Sequence, residues 1–390
     1  MRHFYCFSVV FLYTSDMETN SYNIPNRSGI KRLEQIKESP GKRVLRIALQ
    51  FLSFILVMVV LFAVALLTTI WVVSKGPSPT AQRMFVLTVK ETSAAGFLAD
   101  IFLSEDEIYL IQNPPDTNYE DESFQTDTSL ITIQPQKTQF EGYETISGST
   151  GSNDNTEHVE DIPDVELHEV HGVGYKGYML IVHDPSRVFV GTPQSFGEYG
   201  LTVPQIVRRY DALAGVNGGG FYDPEGRGSG GTPEGIVISE GVFRWGANSG
   251  RECVMGFDDD DILHVGYMSA TTARNLGLRD AVSFGPALII NGTPQNIPHS
   301  GVNPRTGIGQ RADGAVLLLV VDGRQIDSIG ATFSIMLDIF LEFDAINAGN
   351  LDGGSSTLMV YEDEFVNTGP TMINPRRMPT TFLVKRSEGG

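Results

Sequence analysis

The stretch Asn303–Gly323 reads N-P-R-T-G-I-G-Q-R-A-D-G-A-V-L-L-L-V-V-D-G, and Ala345–Asn367 reads A-I-N-A-G-N-L-D-G-G-S-S-T-L-M-V-Y-E-D-E-F-V-N. Two apolar runs within it, Ala315–Val321 and Thr357–Tyr361, have the length and composition of buried strands. The segment between them, Thr332–Phe343, has a helical pattern. Each strand meets a polar, Gly-containing corner. Arg305, Arg311 and Asp313 precede the first strand, and Asp322 follows it. Asn347, Asn350, Asp352, Ser355, Ser356 and Thr357 crowd the approach to the second. Strand ends with Gly-rich corners are where a rigid scaffold presents reactive side chains. A purely structural loop rarely needs so many donors, acceptors and charges at once.

Upstream of this stretch the chain is strand-rich. V-E-L-H-E-V-H from Val165 alternates as a strand does, Tyr178–His183 is a second strand, and Asp184–Ser186 a turn. Val203–Tyr210 reads as a short helix. Ala212–Val216 is a strand running into Asn217-Gly218-Gly219-Gly220. Gly226–Gly235 is a long Gly-rich loop. Ile236–Ser239 and Val242–Trp245 flank Glu240-Gly241 as a hairpin. Asp258–Asp261 forms an acidic turn before the strand Ile262–Met268, and Thr271–Leu276 a short helix. Ala287–Ile290 and Thr380–Val384 are further strands. Many short strands with few helices imply an α+β fold with a strand-rich core, not alternating βαβ units.

Four motifs resemble the phosphodiester glycosidase family. They are R-T-G-I-G-Q-R-A-D-G from Arg305 to Gly314, V-D-G from Val321 to Gly323, N-A-G-N-L-D-G-G-S-S-T from Asn347 to Thr357, and V-N-G-G-G-F from Val216 to Phe221. The N-L-D-G-G-S-S-T string is the specific part, since D-G alone is ordinary turn chemistry. The likeness covers Val165 to Lys385. It implies cleavage of the bond between a sugar's anomeric carbon and a phosphodiester oxygen, through an oxocarbenium-like transition state. The leaving group is a phosphate monoester whose second pKa is about 6. A strong general acid is therefore less necessary than cationic or N–H contacts to phosphate and a carboxylate on the far face of the sugar.

On that reading Asp352 is the first candidate for the catalytic carboxylate, as base on water or as nucleophile. Its alternative role is to cap the Gly353-Gly354 turn. Arg311 and Arg305 are the candidate phosphate ligands, because a guanidinium matches phosphate oxygens bidentately. Asp313 and Asn347 are assigned to the catalytic group, and Asp322 to substrate binding; Glu234 is a further candidate acid. Asn217, Gly218, Gly219 and Gly220 form a candidate anion nest of backbone N–H groups. Ser355, Ser356 and Thr357 can hydrogen-bond sugar hydroxyls or phosphate. G-G-S-S-T lacks the second glycine of a nucleophile elbow, so a serine nucleophile fits poorly. No cofactor is required. A divalent cation is compatible with the chemistry, but Asp258–Asp261 lacks spaced oxygen ligands and there is no zinc-type motif.

The remaining readings concern placement. The chain has 390 residues, 41% of them apolar, and a net charge of −19. Residues 1–46 hold eight Lys/Arg against four acids, so their +4 leaves −23 for the rest. An acidic body excludes nucleic acid as a partner. Ile47–Ser74 carries no charged residue and is long enough for a transmembrane helix. Basic residues precede it, which puts the N-terminus in the cytoplasm and the body outside. His3–Tyr13 is too short to span, and Met17 is the expected initiator. Residues 75–112 read as a juxtamembrane helical stalk, with a capping box at Ser104 and Glu107. Residues 113–164 read as an acidic flexible linker, and 165–390 as the glycosidase-like domain. Cys6 and Cys253 fall on opposite sides of the membrane segment, so no intrachain disulfide is expected, and Cys253 reads as a small buried hydrophobe. An extracytoplasmic body without disulfides suits a bacterial cell surface. The expected protein is a single-pass plasma-membrane glycosidase. Its substrate is an envelope polysaccharide or glycolipid with an N-acetylglucosamine-type sugar-1-phosphodiester. The competing reading is a non-catalytic glycan-binding module of the envelope.

Overall fold

The computed structural model describes residues 39–92, 95–114, 126–133, 164–247, 250–368 and 375–387. The tail with Met17, and linker residues 115–125 and 134–163, lie outside the described residues. The chain divides into two units, Met1–Ala65 and Leu66–Gly390.

Helix α1 (Pro40–Lys75) has 36 residues and is long and apolar enough to cross a membrane. Leu52, Phe54, Val59 and Phe62 are all more than half exposed. An exposed surface this apolar needs a non-aqueous neighbour. Its last turns belong to the second unit, where Ile70 and Ser74 are buried. Three helices follow, α2 (Pro79–Lys90), α3 (Phe97–Asp100) and α4 (Glu105–Gln112). They pack around Val86, Val89, Ala99, Leu103 and Ile108. The expected capping box is formed: Ser104 Oγ accepts from the Glu107 N–H and Glu107 accepts from the Ser104 N–H. Lys75 lies 2.6 Å from Glu107 and, with the Ser104 cap, holds that carboxyl down to about 2.

Of the linker, residues 126–133 are held against the domain. The Asp127 N–H donates to Asn291 Oδ1, the Thr132 N–H donates to the Ala312 carbonyl, and Ile131 is buried. This part is no free spacer.

The domain itself is α+β, built of three antiparallel sheets. The first runs in the order β1 (Val165–Gly172), β2 (Tyr175–Val182), β13 (Val316–Val321), β12 (Arg305–Arg311), β14 (Ala345–Leu351), β10 (Ala287–Ile290), β11 (Thr293–Pro294). The second runs β16 (Glu364–Phe365), β15 (Met359–Tyr361), β4 (Ala212–Asn217), β17 (Thr381–Lys385), β3 (Val188–Gly191). The third runs β6 (Val242–Trp245), β5 (Val237–Ser239), β9 (Asp280–Phe284), β7 (Glu252–Phe257), β8 (Leu263–Met268). One core cluster joins all three, with Leu180 and Leu318, Val216 and Phe382, and Met255 and Val265 in contact with it. Every residue of β13 is buried, and each of its leucines contributes roughly 1.5–3 kcal/mol by leaving water. Helices α5 (Val203–Arg209) and α6 (Ala270–Asn275) cover the second and third sheets.

Two supposed corners are strands. R-T-G-I-G-Q-R is β12, at the centre of the first sheet, and A-I-N-A-G-N-L is β14 beside it. Glycine serves close packing there. Helix α7 (Phe333–Glu342) lies on this sheet, and a Cβ at Gly307 would meet Met336 and Phe340 at 2.9 Å. Gln310 and Asn347 are fully buried and bond across to Leu263 on the third sheet. These polar side chains tie sheets together.

Candidate active site

The registers of the first sheet decide what meets at its edge. Arg305 opens β12 opposite Val321, the end of β13, and Thr306 lies opposite Leu351, the end of β14. Asp352 follows β14 directly. The second sheet arrives through Asn217, at the end of β4. Its side-chain N–H donates to the Asp352 carbonyl, while its Oδ1 accepts from Thr306 Oγ1 at 2.8 Å and the Leu358 N–H at 3.0 Å. The Asp352 N–H donates to the Gly218 carbonyl at 3.1 Å. Asp352 is thus fixed by backbone bonds to a neighbouring sheet, with its carboxyl left for an open cleft of about 980 Å³.

Two of the three carboxyls that line that cleft, Asp352 and Asp223, are driven in opposite directions. Burial pushes Asp352 up to about 6; the Asp223 charge adds to the rise, while Ser356 and Arg376 oppose it. Burial also raises Asp223, but the Arg376 guanidinium at 2.7 Å and the Gly228 N–H at 2.6 Å outweigh it and leave Asp223 below the usual carboxylate range. A pair split this way has one group held toward its ionised form and one that changes charge near neutrality, the pattern of an acid–base site.

Arginines supply the opposite charge. Arg305, Arg324, Arg376 and Arg227 line the cleft. Arg376 also donates to Ser355 Oγ at 3.1 Å. Arg305 is largely committed: Nε donates to the Ala331 carbonyl at 3.0 Å, and Nη2 to the Gly301 carbonyl at 2.7 Å and Glu91 at 2.8 Å. Arg324 touches only neutral oxygens among the described residues, donating to Thr92 Oγ1 and Asn303 Oδ1, each at 3.2 Å. Burial, with the adjacent Arg305 charge, lowers its pKa. Within an acidic body, four guanidiniums face three carboxyls here, one of which is shifted upward. The cleft favours an anionic ligand, and Arg324 is a cleft cation that no carboxylate pairs with among the described residues.

The expected site residues separate into groups. Asp352, Arg305 and Ser355 line the cleft, and Ser356 bonds Asp352 from below. Arg311 and Asp313 lie at the far end of β12, about 20 Å away at ~3.4 Å per residue, and pair with each other at 2.6 Å. The structure does not bring them to Asp352, because Arg305 and Arg311 stand at opposite ends of a seven-residue extended strand. Asn347 is buried between Asn291 and Leu263. Asp322 is buried beneath Asn367 and Thr368 and is absent from the cleft wall. Thr357 is buried, its hydroxyl without a partner among the described residues.

The anion nest is corrected outright. The Gly218 N–H donates to the Thr380 carbonyl, Gly219 to Thr380 Oγ1, and Gly220 to the Ser283 carbonyl. These glycines admit their neighbours closely, with Thr380 Oγ1 at 2.6 Å and the Thr380 carbonyl carbon at 3.0 Å from a Cβ at Gly218. Among the described residues no group of three or more His, Cys, Asp or Glu forms a metal cluster. Cys253 is buried, its thiol pushed up to about 12 by burial.

Asp223, Arg324, Arg376 and Glu91 had no readable signal. D-P-E-G and N-P-R-R look like turns, and Glu91 is more than 200 residues from its partners.

The model of the phosphodiester glycosidase family matches residues 210–385, a span that contains every cleft residue discussed except Glu91 and Thr92. The resemblance legible in the sequence therefore holds over that region. The SPbeta prophage-derived uncharacterized protein YomE of Bacillus subtilis strain 168 is 29% identical over 200 residues, 47% of this chain and 29% of that protein. The chain thus spans under a third of that relative's length. Among solved structures, the zebrafish N-acetylglucosamine-1-phosphodiester alpha-N-acetylglucosaminidase catalytic domain, auto-inhibited by its pro-peptide, aligns at a TM-score of 0.49 and 22% identity. That alignment covers 58% of this chain and 85% of that one. A putative exported protein from Burkholderia pseudomallei K96243 aligns at 0.41 and 16%, covering 54% and 74%.

Proposed function

We propose that this protein is a membrane-anchored, extracytoplasmic glycosidase. It hydrolyses a sugar-1-phosphodiester, of the N-acetylglucosamine type, in an envelope polysaccharide or glycolipid. The observation that carries the reading is the carboxyl pair, Asp352 raised to about 6 and Asp223 lowered, in a cleft lined by arginines. The family match over 210–385 supports the same reaction class.

Arg324 and Arg376 hold the diester phosphate and stabilise charge as it leaves. Asp352, ionised above pH 6, accepts a proton from water or attacks the anomeric carbon; a carboxylate of this basicity is well matched to near-neutral operation. Asp223 keeps Arg376 oriented and raises Asp352. Anchoring rests on α1, and the basic residues before it in the sequence support an outside position for the body.

The test uses the purified full chain with an α-N-acetylglucosamine-1-phosphodiester. Free sugar should appear, and Asp352→Asn should lower kcat by about 10²-fold or more. Binding of the diester with no release by either protein would instead identify a glycan-binding module. Hydrolysis in ¹⁸O-labelled water should place label in the sugar.

A further inference from the structure

The cleft is completed by residues from outside the family-matched span. Glu91 and Thr92 stand at the C-terminal end of α2 and form part of its wall. Glu91 accepts from the Gly301 N–H, Asn303 Nδ2 and Arg305 Nη2, each within 2.9 Å. Thr92 Oγ1 accepts from Arg324. Near its other end α2 is clamped to the last turn of α1, where Gln82 donates to the Ser74 carbonyl at 2.7 Å, and α4 joins the same turn through the Lys75–Glu107 pair. Residues 76–78 and a twelve-residue helix are all that separate Lys75 from Glu91. At most ~3.5 Å per linking residue and ~1.5 Å per helical residue give a reach of about 30 Å. The cleft wall is therefore tethered within about 30 Å of where the apolar helix ends.

A second observation concerns what surrounds the cleft. Two residues beyond Arg324, Ile326 is 106% exposed, Ile329 is 57% exposed, and Val173 at the tip of the β1–β2 hairpin is 101% exposed. They form one rim, because the Ile329 N–H donates to the Gly174 carbonyl and the Arg324 N–H to the Ile329 carbonyl. The helices leading from α1 also present Met84, Phe97, Ile101, Tyr109 and Leu110 to the outside. Aliphatic tips of this kind are costly in water and stabilising in a bilayer interface. The acidic body gives no electrostatic adhesion, so the contact is apolar.

We propose that the rim of Val173, Ile326 and Ile329, with the exposed apolar residues of α2–α4, rests in the bilayer interface. The substrate is then a glycosyl phosphodiester whose aglycone is a membrane lipid. This rests on the glycosidase and membrane-span readings above. In net reaction, water adds to the anomeric carbon and the C–O bond to phosphate breaks. The phosphate oxygen keeps the electron pair, and the water's proton passes through Asp352 to solvent. The sugar leaves, and a lipid phosphate monoester stays in the membrane.

The full chain is reconstituted in phosphatidylcholine–phosphatidylglycerol vesicles. It is given either a dialkylglycerol N-acetylglucosaminyl phosphate in the same vesicles or methyl N-acetylglucosaminyl phosphate in solution. The double variant Val173→Asp/Ile326→Asp is run beside it. The variant should lose about tenfold or more on the lipid-borne diester and stay within about twofold on the soluble one. Equal rates of wild type and variant on the lipid-borne diester would overturn the proposal, as would cleavage of the soluble diester alone. A readout without turnover separates the two readings. The tryptophan introduced by Ile326→Trp should be quenched by nitroxide-labelled lipid relative to the unsubstituted chain. Quenching with neither diester cleaved would sink the glycosidase reading and leave the membrane contact standing; no quenching would overturn the membrane contact even if both diesters were cleaved.

Discussion

Glu91 Oε2 lies 2.8 Å from Arg305 Nη2, joining the end of α2 to the first residue of the central strand β12. The same carboxylate takes the Gly301 N–H and Asn303 Nδ2. Glu91→Ala strands a buried guanidinium and two further donors. It should cost about 2–3 kcal/mol, read as a shift in urea midpoint. Glu91→Gln, which keeps acceptors in place, should cost about 1 kcal/mol.

Asp352 sets a pH dependence with a definite sign. As base or nucleophile it works ionised, so kcat should rise tenfold per pH unit below about 6 and level off above. Stability runs the other way. A carboxyl raised on folding stabilises fully below its unfolded value near 4, and that contribution is lost as pH rises through 6. Asp352→Asn should therefore lower kcat by about 10²-fold or more yet stabilise the protein at pH 8 by about 2–3 kcal/mol, and leave stability unchanged at pH 3. Melting curves at the two pH values check this.

Asp223 bears on the same curve. Its charge raises Asp352, so Asp223→Asn should move the acid limb of the pH–rate profile to lower pH. The maximum rate should fall as well, because Arg376 loses its carboxylate partner at 2.7 Å.

Arg324 and Arg311 form a contrast. Arg324→Ala removes a cleft guanidinium that no carboxylate pairs with among the described residues, and should raise KM for a phosphodiester by about 10- to 100-fold. Arg311→Ala breaks only a half-exposed pair with Asp313, should leave activity within about twofold, and should change stability by under ~1 kcal/mol.

At Gly307 the measurement is stability alone. A Cβ there meets Met336 and Phe340 at 2.9 Å. Gly307→Ala should cost about 1–3 kcal/mol by overpacking, seen as a lower melting temperature.

Apolar strands such as β13, the helix α7 and the capping box at Ser104 were legible, because each obeys a local period or spacing. β12 and β14 look like polar, Gly-containing corners in the sequence, because glycines and polar residues interrupt the apolar pattern of a strand. Their polar side chains are satisfied by partners on another sheet, such as Leu263 for Gln310 and Asn347, and no local rule announces such a partner. Asp352 was legible from its motif. Asp223, Arg324, Arg376 and Glu91 reach the cleft from four separate segments, so only the folded topology assembles them.

Asn217 and Gly218 form a pair whose side-chain amide, in an open chain, is prone to cyclise to a succinimide and deamidate. That reaction needs the glycine nitrogen to turn onto the amide carbon. Here the Gly218 N–H is held by the Thr380 carbonyl at 3.0 Å, and both ends of the Asn217 amide are bonded. The folded protein thus shields one of its most perishable bonds, and the chemical lifetime of the cleft becomes a function of how rarely β4 and β17 come apart.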